Sequence, residues 1–229
     1  TFESAEKHMD KISRIQVNIY HAGDLFDFKH LSGNLLLSDA IRKVSRGFYR
    51  TVLPQNAEGN QLRNTSIRNG DLELVMSCHL ALFNFDGTDL DSGTVVEFMI
   101  AKMLDIPCVL LRTDFRNAGD QSVCGDPWNL MCSDYPRSLT VRIHAMNLYH
   151  QCGTGSDGLN AYLDEIASQV ISGLDRVRVM PSLFHGDQEK AGEVYSWVVR
   201  ACGNELDKLL TRERIAQIVK EKAELHLLA

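Results

Sequence analysis

The sequence predicts an α/β protein: a flavodoxin-like or Rossmann-like parallel sheet of about five strands, helices on both faces, and a C-terminal helical extension. Three observations predict it. Short apolar runs recur at residues 14–20, 48–53, 78–83, 108–111 and 139–143, bounded by turn formers. Segments with apolar residues at helical spacing separate most of them, and the connections are short. Beyond about residue 150 no further strand pattern occurs, only long amphipathic stretches. Right-handed crossovers leave few topologies for such a chain, and a flavodoxin-like order is the most economical.

The elements follow in order. Residues 14–20 alternate toward a first strand that ends at Ala22-Gly23, a tight turn suited to close backbone approach by a ligand. Leu36, Leu37, Ala40, Ile41 and Val44 mark a helix over 35–46, with Gly47 as its stop. Pro54 ends the second strand, and residues 55–64 form a polar loop. Ser66 caps a helix that sends Ile67, Leu72, Leu74 and Val75 to the core. A helix over 94–104 separates the third and fourth strands. Helices over 156–174, 188–210 and 212–228 follow. The expected division is residues 1–150 for the ligand-binding domain and 151–229 for a helical extension packed on it.

Composition narrows the function classes. The 229 residues are 44% hydrophobic and 24% charged, as in globular proteins. A net charge of −6 without a basic run argues against nucleic acid as a partner. The apolar runs are far too short to span a membrane as a helix, and residues 1–14 lack a signal-peptide core. Six cysteines without a CxxC pair fit reduced thiols, so the expected location is the cytoplasm. No metal is expected: the eight histidines show no ligand spacing, and Asp86 to Glu97 departs from an EF-hand loop. GxGxxG and GxxxxGK[ST] are absent and no cofactor is expected.

The chemistry concentrates in Asp86-Gly-Thr-Asp-Leu-Asp-Ser-Gly-Thr-Val-Val-Glu97, where an acidic loop enters a helix at the carboxyl end of a strand. Glu97 near the helix start sits by unpaired amides and the positive end of the macrodipole, which favour the ionised form. An ionised carboxylate in a cleft can attack a sugar carbon. A second group must then protonate the leaving atom, with Asp71, Asp86, Asp89 and Asp91 as candidates. The rival reading is that these acids merely cap the helix.

Three segments, Tyr20-His-Ala-Gly-Asp-Leu-Phe26, Asp89 to Glu97 and Asn129-Leu-Met131, resemble the nucleoside 2-deoxyribosyltransferase family over roughly residues 15–131. The resemblance makes residues 1–150 the catalytic domain. It implies transfer of 2-deoxyribose between nucleobases through a covalent glutamyl intermediate; a purine-tolerant pocket is the preferred expectation. The alternative is an N-glycoside hydrolase of the same superfamily, acting on nucleosides or nucleoside monophosphates. Glu97 matches the nucleophile and Tyr20 the residue that orients it. Asp71 corresponds to the aspartate facing the base, Asp91 to a second aspartate near the sugar, and Asn129 to a residue gripping a sugar hydroxyl, often in a neighbouring subunit. Gly23, Asp24 and Phe26 fall on the binding strand end, with Asp24 where many members have proline. Phe26, Phe28 and Trp128 could stack on a base or simply pack, and Arg112, Asp114 and Arg116 could line the cleft rim. The implied partners are deoxyribonucleosides and free nucleobases, with a homo-oligomer whose sites lie near subunit interfaces. Residues 153–229 match no part of the family pattern, and the family's C-terminal tyrosine has no counterpart in the closing Glu-Leu-His-Leu-Leu-Ala.

Overall fold

The computed structural model describes residues 16–57, 64–122 and 124–229. Five parallel strands make one sheet: β1 Val17–Ala22, β2 Tyr49–Val52, β3 Leu80–Asn84, β4 Cys108–Arg112 and β5 Ser138–Arg142. Their spatial order is β2-β1-β3-β4-β5, the doubly wound order expected from the sequence. The first strand starts at Val17; residues 14 and 15, where the sequence placed its beginning, lie outside the described residues, as do most of the expected 55–64 loop.

Because successive side chains in a strand point to opposite faces, each apolar run supplies two cores. Val17 and Ile19, Leu80 and Leu82, Val109 and Leu111 face one side. There they meet Leu37, Ala40 and Ile41 of α1 (Phe28–Val44) and Ile166, Val170, Leu174 and Val177 of α5 (Gly155–Val177). Tyr20 and Ala22, Ala81 and Phe83, Cys108 and Leu110 face the other. That side is covered by α2 (Asn64–Ser77), α3 (Ser92–Met103), α6 (Gln188–Cys202) and α7 (Arg212–Glu224). The eight-residue α4 (Ala145–Cys152) leads into α5. Tyr20 therefore points toward the helix that carries Glu97, and that alternation is what assembles the site.

Two expectations are revised. The first helix begins at Phe28 rather than 35. Asp27 caps it, its Oδ1 accepting from Lys29 N (2.8 Å) and His30 N (3.1 Å). This cap overrides the loop-like Ser32-Gly33-Asn34 within the first turns. The helix expected over 188–210 breaks at Cys202, where Gly203, Asn204 and Glu205 all take left-handed backbone angles (φ 60°, 52° and 64°). Residues from 155 onward divide between both faces of the sheet: α5 is the second covering helix beside α1, and α6 and α7 complete the opposite layer.

Candidate active site

Helix α3 is fixed at its start by Asp91, whose Oδ2 accepts from Thr94 N (2.7 Å) and from the Thr94 hydroxyl (2.8 Å). Its inner face is fixed by Phe98, fully buried and edge-on to Phe83 (ring centroids 5.4 Å) and Phe85 (5.6 Å). Each such aromatic pair adds about 0.5–1.5 kcal/mol beyond the area it buries. A helix held at its cap and along its core face presents the residue before Phe98 at a defined position beside the sheet. That residue is Glu97.

Glu97 lines a cavity of about 380 Å³ with Arg68, Asp71, Ser92 and Val96. Behind it lies Tyr20, fully buried at the middle of β1 in register with Val52 and Ala81. The phenol is close enough to favour the charged carboxylate. Burial pushes Glu97 from its ordinary 4.5 up to about 7; the Tyr20 hydroxyl opposes the rise, and the charges of Asp71 and Asp91 add to it. Burial and the neighbouring Glu97 likewise raise the Tyr20 phenol well above its usual range, so it remains a proton donor.

This corrects one expectation. Glu97 is the sixth residue of α3, past the first turn, and no acid occupies that turn. The macrodipole acts mainly on the first turn, and desolvation wins. The carboxylate is close to half protonated at neutral pH instead of being held fully ionised.

The described structure brings Tyr20, Asp71, Asp91 and Glu97 together, since each perturbs or lines the Glu97 surroundings. Asp24 and Asp91 line an adjoining cleft of about 770 Å³, together with Asp89, Thr113, Phe115 and Arg116. Gly23 serves the strand ends: a Cβ there would lie 3.0 Å from Asn84 Cβ, so its contact is protein, and its φ is not left-handed. Asn129 lines a third cleft of about 610 Å³, which shares Ser92 and Val96 with the Glu97 cavity; its Oδ1 accepts from Met131 N (2.9 Å). Asn129 does not itself line the Glu97 cavity.

The aromatic candidates separate clearly. Phe26 and Phe28 are 79% and 82% exposed, flanking the start of α1. Trp128 is a core residue, 2% exposed, edge-on to Phe85 (5.2 Å) with its indole N–H donating to Ser133 Oγ (3.1 Å). Arg112 is not on a rim: it is 1% exposed and its guanidinium donates to the carbonyls of Phe85, Gly87, Asp114 and Arg116. Asp86 accepts from Thr113 N and Oγ1 and from Asp114 N, stapling the loops after β3 and β4. Arg116 pairs with Asp114 and holds that carboxyl below its usual range. Arg68, a lining residue the motifs did not single out, stands three positions before Asp71, and that i, i+3 spacing on α2 was its available signal. Among the described residues no group of three or more His, Cys, Asp and Glu could hold a metal ion, and no helix is long and apolar enough to cross a membrane.

Comparison with known proteins adds the following. The family model described as nucleoside 2-deoxyribosyltransferase matches residues 19–136, which is 118 of 229 positions and includes every element of the site. A search of curated protein sequences found no match. Among solved structures, a conserved protein from Enterococcus faecalis V583 aligns with TM-score 0.46 and 20% identity, over 66% of this chain and 98% of that one. The 2-deoxyribosyltransferase from Bacillus psychrosaccharolyticus aligns at TM-score 0.44 and 19% identity, covering 57% and 88%. A 2-desoxiribosyltransferase from Leishmania mexicana aligns at 0.42 and 20%, covering 52% and 86%. The assignment rests on the family match over more than half of the sequence, and by it the chain belongs to the nucleoside 2-deoxyribosyltransferase family.

Proposed function

We propose that this protein moves 2-deoxyribose between nucleobases by double displacement at Glu97, preferring purines. The reading is supported chiefly by one observation: a carboxyl pushed up to about 7 in a cavity, facing a buried phenol and flanked by two aspartates. A nucleophile poised near neutral pH exchanges its charge cheaply as the covalent bond forms and breaks. In the first step a Glu97 carboxylate oxygen attacks C1′ of the deoxyribonucleoside. The C1′–N bond breaks, and its electron pair leaves with the base. Asp71, on the facing helix and ionised in the free protein, takes up a proton as the nucleoside binds and hands it to the departing base. In the second step a ring nitrogen of the incoming base attacks C1′, the Glu97–C1′ bond breaks, and the proton returns to Asp71.

The remaining groups have supporting roles. Tyr20 donates toward Glu97 and orients it. Asp91, already capping α3 through Oδ2, has its other oxygen for the sugar. Asp24 and Phe26 border the base side, and Asn129, exposed on its own chain, acts on the sugar of a second copy. No cofactor or metal is needed, because a carboxylate and an acid suffice for both steps.

Incubation with deoxyinosine and free adenine should yield deoxyadenosine. Release of hypoxanthine without any exchange product would assign the protein instead to hydrolysis. Intact-mass analysis should find a deoxyribosyl adduct, absent from Glu97→Ala, and full activity in that variant would sink the nucleophile assignment.

A further inference from the structure

The segment outside the family match carries a feature unrelated to the Glu97 site. Between α6 and α7 runs a groove of about 890 Å³, floored by Val194, Ile215 and Val219. Trp197 stands on its wall and is 57% exposed, although a large aromatic side chain buries 150–250 Å² when covered. Charge is divided along the groove. Glu189 and Glu193 occupy the end nearer the start of α6, and Arg200 and Arg212 the other. Among the described residues none of these four forms an ion pair. Glu189, Glu193, Trp197 and Arg200 follow one another at i, i+4, i+8 and i+11, so they share one face of α6.

We infer that this groove is a self-complementary docking surface for a second copy of the same chain, with two α6 helices crossing antiparallel about a two-fold axis beside Trp197. The charge order selects this occupant. A two-fold contact places the same patch on both sides, so a residue at one end must meet a complementary residue at the other. The midpoint between Glu193 and Arg200 falls between Ser196 and Trp197. Rotation about it sets Glu193 of each copy opposite Arg200 of the other, with each pair about 5 Å along the helix from the axis. The same rotation lays each Trp197 over the other copy's apolar floor, a projecting aromatic anchor matched to a pocket. Surface pairs of this kind set register and specificity. The groove involves twelve residues, fewer than the 20–30 a side of a standard interface, so the association falls in about the micromolar range.

The test is sedimentation equilibrium of the full chain, from about 1 to 100 μM, on four proteins: wild type, Glu193→Arg, Arg200→Glu and the double variant. Matched far-UV circular dichroism certifies that the exposed substitutions leave the fold intact. Each single reversal should weaken self-association at least about tenfold, because it opposes like charges twice per contact. The double variant should recover most of the loss, since it recreates both pairs with their signs exchanged. Trp197→Ala should weaken association without changing the helical signal. Equal mass distributions in all four proteins, or a double variant no better associated than the single ones, would overturn the proposal. So would a wild-type protein that stays monomeric at the highest concentration, which would leave the groove to a different partner.

Discussion

Glu97 should titrate near pH 7 in the free protein, and the two residues that face it should move the midpoint in opposite directions. The rise from 4.5 to about 7 makes the ionised form about 3 kcal/mol less favourable than in water. Tyr20→Phe removes a donor that favours the charged form. At the lower end of the range for hydrogen bonds to charged groups, the midpoint should climb by about one pH unit. Asp71→Asn removes a like charge, so there the midpoint should fall.

The assay is a carbon-13 NMR titration of the labelled side-chain carboxyl, read beside kcat/KM for base exchange. Below pH 7 the rate should drop about tenfold per pH unit as the nucleophile protonates. Stability should run the other way. Between 4.5 and 7 the folded chain binds more protons than the unfolded one, so the Glu97 contribution is fully present below 4.5 and is lost as pH rises through 7. Glu97→Gln should accordingly match wild type near pH 4 and exceed it by up to about 3 kcal/mol at pH 8. A midpoint near 4.5, or a Tyr20→Phe protein whose midpoint falls, would refute the reasoning.

Other predictions concern stability. Asp86→Ala strands two backbone amides and a hydroxyl between the β3 and β4 loops and should cost about 2–3 kcal/mol in urea denaturation. Trp128→Ala empties a site beside Phe85 and should cost about 3–5 kcal/mol by the same measurement. Lys222 is 3% exposed, its ammonium has no hydrogen-bond partner among the described residues, and burial pulls it down to about 7. The unfolded chain therefore binds more protons between 7 and 10.5, and stability should rise with pH across that window. Lys222→Met should be about 1–4 kcal/mol more stable than wild type at pH 7, with the advantage fading toward pH 10.5. Equal thermal midpoints at both pH values would contradict this.

The strands were legible because a parallel sheet covered on both faces writes itself as near-continuous apolar runs, and 80–84 and 108–112 are such runs. The acidic loop and Glu97 were legible because their motif is local, lying within twelve consecutive residues. The start of α1 was not, because the apolar spacing used to place it begins at Leu36, whereas the Asp27 cap sets the start at Phe28. Nor was the break of α6, where three consecutive left-handed residues end a segment whose apolar spacing continues.

What the sequence determined by itself was therefore periodic or local: the strand order's class, the position of the acidic loop on a strand end, and the identity of the carboxylate that enters the helix. Tertiary structure decided everything that depends on distance between segments. It gave Asp86 to two neighbouring amides, Trp128 to the core, Arg112 to four carbonyls and Asn129 to a separate cleft. It also reversed the expected charge preference of Glu97. The helix dipole is a property of the local chain and reads from sequence, whereas desolvation is set by how deeply the packed chain buries the carboxyl, and burial proved the larger effect.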